Sequence, residues 1–599
     1  MRKFINKAFI ISAIIVSLAM VSCKKYLNNA PEAIITENDA FSNWNAFQGF
    51  VEEMYLMEVS YGACYWNTQG WKADENVSTV AVAFEDGNYW NNSDLFTGSF
   101  DLSLAPRNKR IWPCAWYGIR RANQALSKLD LLIDATQEQK DLIKGQALFF
   151  RGWFYFELMR YWGGMPYIDK VLSPTEEMNY PRLNYRETAL KAAKDFQDAA
   201  ALLPVTWDGT ATGNITIGAN RQRINKIYAL SYLGKDLLYA ASPMMNEAST
   251  GNNAFDPELC KKAANAFAQV IDICNKTGVY KLQPWSSITD VFYLYSSGSS
   301  ILPGGTEVIL APLPTPGQSG WNEEYQIATT PAGLNVSTQA VFVPANNYVK
   351  NYAMANGLPI DDPASGYNPN DPWTGREARF YKDITIDGDK LSINTSAGLD
   401  MNAQLYIGGR HRTGGTPSVS GYFLKKWYPF GWGKYYTPGA GNVLALDPYL
   451  RLADVYLMYA EALLQGYGSS QSSDPGLASL TAEGALNVVR NRAQLPSISA
   501  AYTATKDKFM GEIIRERAVE LGWENSHRFC DLRRWNLNGD ARYLKKTAID
   551  FDRDPVTKKP INIKERVVVE RVVTKRNNWL PIEVKYTTLY KEFPQNPGW

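Results

Sequence analysis

Residues 448–536 constrain the fold of this chain more than any other stretch. The segment opens with PYLRLADVYLMYAEALLQG and closes with ERAVELGWENSHRFCDLRRWN. In its first half, apolar residues recur at intervals of three and four, the spacing of one face of an α-helix. These positions are Leu452, Val455, Tyr456, Tyr459, Ala460 and Leu463. The pattern predicts a helix that buries this stripe and ends at the glycines of the GYG sequence that follows. The charged Arg451, Asp454 and Glu461 fall off the stripe or at its edge.

Other segments show similar helical patterns. Residues 141–162 (DLIKGQALFFRGWFYFELMRYW) are apolar almost all round, which is typical of a helix buried between neighbours, and GGMP ends it. Further helices are predicted over residues 36–57, 116–133, 185–203, 221–241, 257–277 and 509–521. The pattern indicates a mainly α chain and is consistent with stacked helix pairs, although their spacing gives no fixed repeat length.

Two long stretches lack helical periodicity. Residues 61–110 and 283–446 are rich in Trp and Tyr amid Gly, Pro, Ser, Thr and Asn. Because disordered chains are poor in aromatic residues, we expect both stretches to be ordered excursions from the helices. Short strands are predicted at 306–311 and 422–426. Since rigid scaffolds commonly present binding residues on loops, function is expected there.

Charge balance and the scarcity of histidine argue against several functional classes. Lys and Arg number 62 against 60 Asp and Glu, which argues against a nucleic-acid surface. His411 and His527 are the only histidines, which leaves almost none for a histidine triad or a multi-His metal site, so neither a metal nor a cofactor is expected. The 18 Trp and 35 Tyr are side chains that proteins use to contact partly apolar ligands.

The first 22 residues have the pattern of a secretory signal peptide. Basic residues precede a mostly apolar run at 8–20, which is too short to span a bilayer. The run leads into MVSC, which resembles a bacterial lipobox, so Cys23 is expected to carry a lipid after cleavage. The alternative is ordinary cleavage beside an incidental cysteine. The mature chain, residues 23–599, is then expected to be tethered to a membrane without spanning it.

Five cysteines follow the predicted lipid-bearing one. Cys260 and Cys274 lie in one predicted helix, ~21 Å apart along its axis, beyond the reach of a disulfide. Cys64, Cys114 and Cys530 can pair only through tertiary contacts. Disulfides are therefore not expected to frame this fold.

Several stretches, in order along the chain, resemble sequence motifs of one known family. They are CKKYLNNAPE with TENDAF, IRRANQAL, ALFFRGWFYFELMRYWGGMPYI, TEVILA, RLADVYLMYAEA, ERAVEL, RFCDLRRWN and WLPIEVKYTTLYKEFPQNPGW. Together they resemble the SusD/RagB family of Bacteroidetes outer-membrane lipoproteins. The resemblance implies a tetratricopeptide-like helical-repeat scaffold with long aromatic-rich loop insertions and a few short strands.

The resemblance also implies one SusD-like domain over residues 23–599. Its helical scaffold would occupy about 36–280 and 447–540, with a loop-rich insert at about 283–446 and a C-terminal extension at 541–599.

The function that the resemblance implies is binding rather than catalysis. SusD-like proteins are lipid-anchored at the outer membrane, hold an oligosaccharide or polysaccharide on an aromatic platform, and pass it to a SusC-like TonB-dependent transporter. A position facing the cell exterior is expected. A pyranose has an apolar face that an indole or phenol ring covers, and a polar rim that Asn, Asp, Arg or Glu can bond.

Loop aromatics with hydrogen-bonding neighbours are the candidate ligand contacts. They are Trp71, Asp74, Trp90, Asn92, Trp321, Tyr325 and Trp373. Trp321 comes shortly after TEVILA, where the family's ligand-contacting insert begins. The alternative for each residue is packing of its loop onto the scaffold. Four tryptophans in or beside helices are expected in the core, namely Trp112, Trp116, Trp153 and Trp162.

Two arginine pairs could bind an anionic sugar. The pairs at 120–121 and 533–534 lie in the helical framework with Asp454, Glu520 and Asp531, which favours buried ion pairs over an anionic sugar site.

A peptide-binding uptake lipoprotein of the RagB type is one alternative function. A glycoside hydrolase is a weaker alternative. Such an enzyme is defined by the distance between two carboxylates in space, which a sequence does not show, and adjacent acids are common on solvated loops.

Overall fold

The structure is a computed structural model that describes residues 37–58, 73–78, 82–90, 110–295, 305–311, 342–391, 402–413, 417–427 and 443–599. Within these ranges the chain is mainly helical with a few short strands, which confirms the predicted fold class. Five residues singled out from the sequence lie outside the described ranges, namely Cys23, Trp71, Asn92, Trp321 and Tyr325.

Eleven of the described helices have eight or more residues and are labelled α1 to α11. In chain order they are Trp44–Glu52, Ile111–Ser127, Gln137–Trp162, Tyr185–Leu202, Lys226–Ala241, Pro243–Thr250, Pro257–Thr277, Leu452–Tyr467, Ala482–Arg492, Lys506–Glu520 and His527–Arg534. Shorter helices are Glu37–Phe41, Val82–Glu85, Asn346–Val349, Ala378–Asp383, Arg410–Thr413, Ala500–Thr503, Ala541–Leu544 and Val584–Thr587.

Local chemistry sets where the longer helices begin and end. Thr136 starts α3 and Asn184 starts α4, each through a capping box in which side chain and backbone exchange hydrogen bonds. Gly163 follows α3 with φ +82°, and Gly468 follows α8 with φ +89° in the left-handed region that glycine tolerates. The predicted stops at GGMP and GYG are therefore confirmed.

Consecutive helices pack against one another. Helix α2 contacts α3, α3 contacts α4, α4 contacts α5, α5 contacts α7 and α7 contacts α8. This neighbour-to-neighbour order is compatible with a tetratricopeptide-like array. Helix α3 is buried on every face over residues 145–162, as its uniformly apolar sequence predicts. These helices form the first hydrophobic core, which contains Trp112, Trp153 and Trp162, with Trp116 partly buried against it.

The helix predicted over 221–241 begins only at Lys226, and two further predicted helices differ from the observed ones. The first, predicted over 36–57, is split into Glu37–Phe41, α1 and a 3₁₀ turn at Glu53–Met57. The second, α2, begins five residues before the predicted start at Trp116 and ends at Ser127 rather than near Ile133. Proline is tolerated in a first helical turn, where its missing N–H has no partner to lose, so Pro113 does not delay this helix.

Ten described strands form five two-stranded antiparallel sheets. Strands β1 to β10 are Asn76–Ser78, Tyr293–Tyr295, Val308–Leu310, Phe342–Pro344, Ile384–Thr385, Phe423–Leu424, Val443–Ala445, Leu450–Arg451, Lys545–Arg553 and Pro560–Glu570. The pairs are β1–β4, β2–β7, β3–β8, β5–β6 and β9–β10. The two predicted strands are present as β3 and β6, shorter than expected. The β9–β10 hairpin was not predicted.

A second hydrophobic core lies beside the helical one. Its members come from the described parts of the aromatic-rich stretch, from the turn after α10 and from the β9–β10 hairpin. They include Phe342, Tyr348, Trp373, Phe380, Phe423, Trp427, Trp523 and Phe551. The described parts of residues 283–446 are thus packed against the scaffold.

Buried ion pairs join the two cores. Arg451 is 1% exposed and donates to Glu307 at 2.6 Å, Glu520 at 2.7 Å and Glu524 at 2.7 Å. Asp454 accepts from Arg517 at 2.7 Å. The sequence pattern placed Arg451 and Asp454 off the apolar stripe or at its edge, and the structure buries both, because tertiary partners neutralise their charges. Glu461 is buried in the same way beside Arg534.

The turn after α10 carries unusual backbone angles. Trp523, Asn525 and Ser526 have φ values of +58°, +38° and +56°, although none is glycine. Lys426 and Trp427 donate to carbonyl oxygens of this turn at 2.9 Å and 3.1 Å. Strained backbone persists where its surroundings over-determine it, so the ELGWENS stretch is held as a joint between the cores.

Cysteines and membrane spans were also predicted from the sequence. Cys114, Cys260, Cys274 and Cys530 are buried, and no disulfide joins any two of these four described cysteines. Cys64 lies outside the described residues. Of the helices in the described ranges, none combines the length and apolarity needed to cross a membrane.

Candidate functional site

The two aromatic-rich stretches meet in the fold. Strand β1, from the first stretch, pairs with β4, from the second, with Asn76 opposite Pro344 and Ser78 opposite Phe342. Trp71 precedes β1 by a few residues, and the chain that contains Trp321 leads into β4. The described strands that adjoin two sequence-distant predicted ligand segments therefore lie side by side.

Trp90 is the predicted ring whose surface the structure describes as exposed. Its exposed fraction is 41%. Its ring lies edge-on to Trp599 with centroids 6.0 Å apart, and the buried Tyr89 stacks on Trp599 at 5.9 Å. The Arg576 guanidinium covers Trp599 at 4.7 Å. An exposed indole held by other rings can present its face to a sugar.

Asp74 is buried and already bonded. Arg528 donates to its two carboxylate oxygens at 2.7 Å and 3.1 Å. The neighbouring Glu75 is also buried, and burial, opposed by Lys546, raises the pKa of its carboxyl to about 7. Asp74 also lines a surface cavity. Because both of its carboxylate oxygens already accept from Arg528, it contributes to the shape of the cavity wall.

Trp373 lies in the second core. Its exposed fraction is 6%, its ring packs edge-on to Phe551 at 5.1 Å, and its Nε1 donates to the Tyr422 hydroxyl at 3.3 Å. With both faces covered, the ring has no surface for a sugar. For this residue the structure supports the alternative, packing of a loop onto the scaffold.

A groove of polar side chains runs beside Asp74, and we call it the polar groove. It consists of two adjoining cavities of about 630 Å³ and 530 Å³. Its walls come from residues 346–372, from helix α10 and from the β9–β10 hairpin. Five residues line both cavities, namely Asn347, Asn351, Pro359, Asp361 and Arg515.

Two buried donors at the junction of the cavities have no hydrogen-bond partner among the described residues. Thr547 N–H donates to Asn347 Oδ1 at 3.0 Å, which fixes the amide and leaves its Nδ2 unpaired. Arg515 spends Nε and Nη2 on Glu512, and its buried Nη1 is unpaired. A buried donor without a partner costs about 1–3 kcal/mol, so a bound oxygen at this junction would recover that free energy.

Acceptors and a ring complete the groove. Asp361 is exposed and forms no ion pair with any described residue. Asn351 donates to the Tyr348 carbonyl at 2.8 Å, which leaves its Oδ1 for a ligand. The half-buried Tyr367 lines the larger cavity, and burial raises the pKa of its hydroxyl, so it stays protonated and able to donate.

This arrangement suits a ligand with many hydroxyl groups. Neighbouring donors and acceptors bond adjacent hydroxyls, and the tyrosine and proline faces cover C–H surface. In the part of the chain that the structure describes, no three His, Cys, Asp or Glu side chains are grouped to hold a metal ion.

Apart from Asp74, the groove residues were not predicted as ligand contacts. Their sequence signal was the amide density of NNYVKN and GYNPNDP inside the predicted insert. Arg515 had no such signal, because the periodicity of α10 marks it only as a helical residue.

The two arginine pairs have different surroundings. Arg121 is bonded to Glu53 and Arg534 to Glu461, which confirms scaffold ion pairs for these two. Arg533 is buried but donates to backbone carbonyls of residues 160 and 578 instead of a carboxylate. Arg120 is exposed and forms no ion pair with any described residue.

Comparison with known families agrees with this architecture. Residues 306–599 match the profile described as "SusD family". Residues 25–229 match the profile described as "Starch-binding associating with outer membrane". The chain belongs to the SusD family.

Individual relatives support the family assignment and the fold. The chain is 37% identical over 69 residues to SusD-like protein P2 of Formosa agariphila, a match that spans 12% of this chain and 14% of that relative. A SusD-like protein of Bacteroides fragilis has a TM-score of 0.70 at 19% identity, covering 95% of this chain and all of that one. Surface glycan-binding protein A of Bacteroides fluxus has a TM-score of 0.57 at 15% identity, covering 93% and 99%.

Proposed function

We propose that this SusD-family chain is a lipid-anchored protein of the outer membrane that faces the cell exterior and captures oligosaccharides or polysaccharides. It passes them to a SusC-like TonB-dependent transporter. The polar groove carries the proposal, because its amide, carboxylate and guanidinium groups suit hydroxyl-rich ligands. The family descriptions of starch binding and outer-membrane association support it, as does the printed name of the Bacteroides fluxus neighbour.

The ligand contacts fall into two groups. In the groove, Asp361, Asn351 and Asn347 bond sugar hydroxyls, and Tyr367 covers a ring face. The other group is the set of loop rings and polar side chains predicted from the sequence, namely Trp71, Trp90, Asn92, Trp321 and Tyr325. Because each subsite is weak, a glycan that spans several of them gains affinity from their sum.

The proposed activity is binding without bond cleavage. A binding protein needs hydroxyl-specific contacts and no transition-state chemistry, and the groove residues have that character. Incubation with a bound glycan should therefore release no reducing sugar over time, whereas steady release would establish a hydrolase.

Affinity electrophoresis through gels that contain a panel of polysaccharides tests the proposal. One polysaccharide should retard the protein, and Asp361→Ala, Trp90→Ala and Trp321→Ala should each reduce the retardation. Tyr467→Ala is the control, because Tyr467 is a 38% exposed ring at the end of α8, away from the groove and the β1–β4 pair.

The outcomes separate function from site. Retardation that none of the three variants changes keeps glycan capture and rejects these contacts. Absence of retardation by every polysaccharide, together with binding of peptide mixtures, would replace the proposal with peptide uptake.

Partnership with a transporter has its own test. After mild solubilisation of membranes, the protein should co-purify with a TonB-dependent outer-membrane protein. Recovery of the protein alone in every detergent would reject the hand-off.

A further inference from the structure

A second pocket lies on the helical core and shares no lining residue with the polar groove, and we call it the apolar pocket. Its volume is about 320 Å³, within the range of roughly 300–1,000 Å³ that is usual for small-molecule sites. Helix α2 forms one wall, residues 166–178 form a second, and residues 586–593 form the third.

Aromatic rings line the pocket. Trp112 lies 5.1 Å from Tyr586, 5.9 Å from Trp116 and 6.4 Å from Phe593, measured between ring centroids. Trp112 and Phe593 are buried members of the first core, so this wall is fixed by packing rather than by a mobile side chain.

Of the amide and charged side chains in the described lining, Asn123 and Lys170 are already paired and Arg120 is not. Asn123 donates to the carbonyl oxygens of residues 168 and 170 at 2.9 Å and 3.1 Å, and it accepts from Arg151 at 3.0 Å. Lys170 pairs with Glu176 at 2.7 Å. Arg120, one turn along α2 from Trp116, is exposed and forms no ion pair with any described residue.

These features favour an apolar ligand with one negative charge over a sugar. A pyranose in the pocket would leave hydroxyls without partners, at about 1–3 kcal/mol for each buried group. An acyl chain or aryl ring instead gains about 25 cal/mol for each Å² of apolar surface removed from water. The free guanidinium at the rim complements a single negative charge.

We propose that the apolar pocket binds a small monocarboxylic acid, with its acyl chain or aryl ring among Trp112, Trp116 and Tyr586 and its carboxylate at Arg120. This site is independent of the proposed glycan capture, because it shares no lining residue with the polar groove.

Isothermal titration calorimetry of the purified full chain with octanoate and with 3-phenylpropionate tests the proposal. At least one acid should bind, and comparison of the two distinguishes an acyl-chain site from an aryl site. Arg120→Gln should weaken acid binding at least tenfold and change binding of the matching alcohol, 1-octanol or 3-phenylpropanol, less than twofold.

Two further variants fix the location. Leu172→Asp places a carboxylate on the half-buried wall and should abolish acid binding. Arg542→Gln should leave acid binding unchanged, because its side chain is 67% exposed and lines the polar groove instead. The unfolding midpoint of each variant verifies that it is folded.

Several results would overturn the proposal. The proposal fails if neither acid binds, if acid binding survives both Arg120→Gln and Leu172→Asp in folded protein, or if the alcohol binds as tightly as its acid. None of these results bears on retardation by polysaccharides, so failure here and failure of glycan capture are distinguishable.

Discussion

The polar groove and the apolar pocket of this chain differ in the polarity of their walls. The groove lies on the second core, where loops rich in Asn, Asp and Pro leave amides and carboxylates exposed. The pocket lies on the helical core, where α2 and residues 586–593 line it mainly with aromatic and aliphatic side chains. The difference shows that the polarity of each surface depends on whether loops or packed helices form its walls.

The pairing of polar groups decides what each surface can recognise. Because the groove offers unpaired donors and acceptors, we propose that it recognises the geometry of ligand hydroxyls. The proposed ligand of the pocket is recognised by its apolar volume and its single negative charge. Four predictions test this contrast, beginning with the joint on which both surfaces rest.

Arg451→Met should lower the free energy of unfolding by about 3–5 kcal/mol, because it leaves buried carboxylates of Glu307, Glu520 and Glu524 with fewer partners. Urea denaturation measures this loss. Lys194→Met is the control, since it removes an exposed pair with Asp198 and should cost less than 1 kcal/mol. Equal losses in the two variants would mean that the joint does not hold the cores together.

Glu75→Gln should change how stability depends on pH near the groove. Burial raises the pKa of Glu75 to about 7 from 4.5, so between those values the folded protein keeps a proton that the unfolded chain has lost. The free energy of unfolding of the parent protein therefore falls as pH rises through this window.

The variant lacks this titration. It should match the parent near pH 4 and exceed its stability by roughly 3 kcal/mol at pH 8, since one pKa unit corresponds to about 1.4 kcal/mol. Urea denaturation at several pH values measures the difference. A difference that stays constant with pH would show that Glu75 ionises normally in the folded protein.

Asp361→Ala should weaken binding of the retained glycan by roughly 1.5–3 kcal/mol, because it removes a charged acceptor for sugar hydroxyls. Calorimetric titration with an oligosaccharide of that glycan measures the loss. Asp130→Ala, which removes another exposed acid outside the groove, should leave the affinity unchanged. If both variants bind alike, the groove does not read hydroxyls.

The smallest effect is expected when the two sites are crossed. Arg120→Gln should change glycan affinity less than about twofold, and Asp361→Ala should change carboxylate affinity equally little, because sites without shared partners behave additively. Titration of each variant with the other ligand measures both values. A larger change in either direction would mean that the groove and the pocket are coupled.

Much of the fold could be predicted because helical signals are local. The stripe in α8, the apolar run of α3 and the limits of α7 required only periodicity and cap residues. The β9–β10 hairpin was missed, since its strands have mixed burial and β10 is largely exposed, which weakens the alternation that marks a strand.

The candidate site was predicted less completely than the scaffold. Aromatic content drew attention to Trp90 and Trp373 equally, yet one is exposed beside Trp599 and the other is covered by Phe551. No property of either tryptophan's own neighbours in sequence separates them. Their ring contacts come from Trp599 and Phe551, which lie far along the chain from each tryptophan.

The sequence by itself determined the helical scaffold and the family, because periodicity, caps and motifs depend on neighbouring residues. Only the tertiary structure decided which charges are buried in pairs and which remain free. Arg451 and Arg120 look alike in sequence, but one meets three carboxylates and the other meets none that the structure describes. Whether a charge is neutralised or offered to a ligand depends on distant partners that folding brings within a few ångströms.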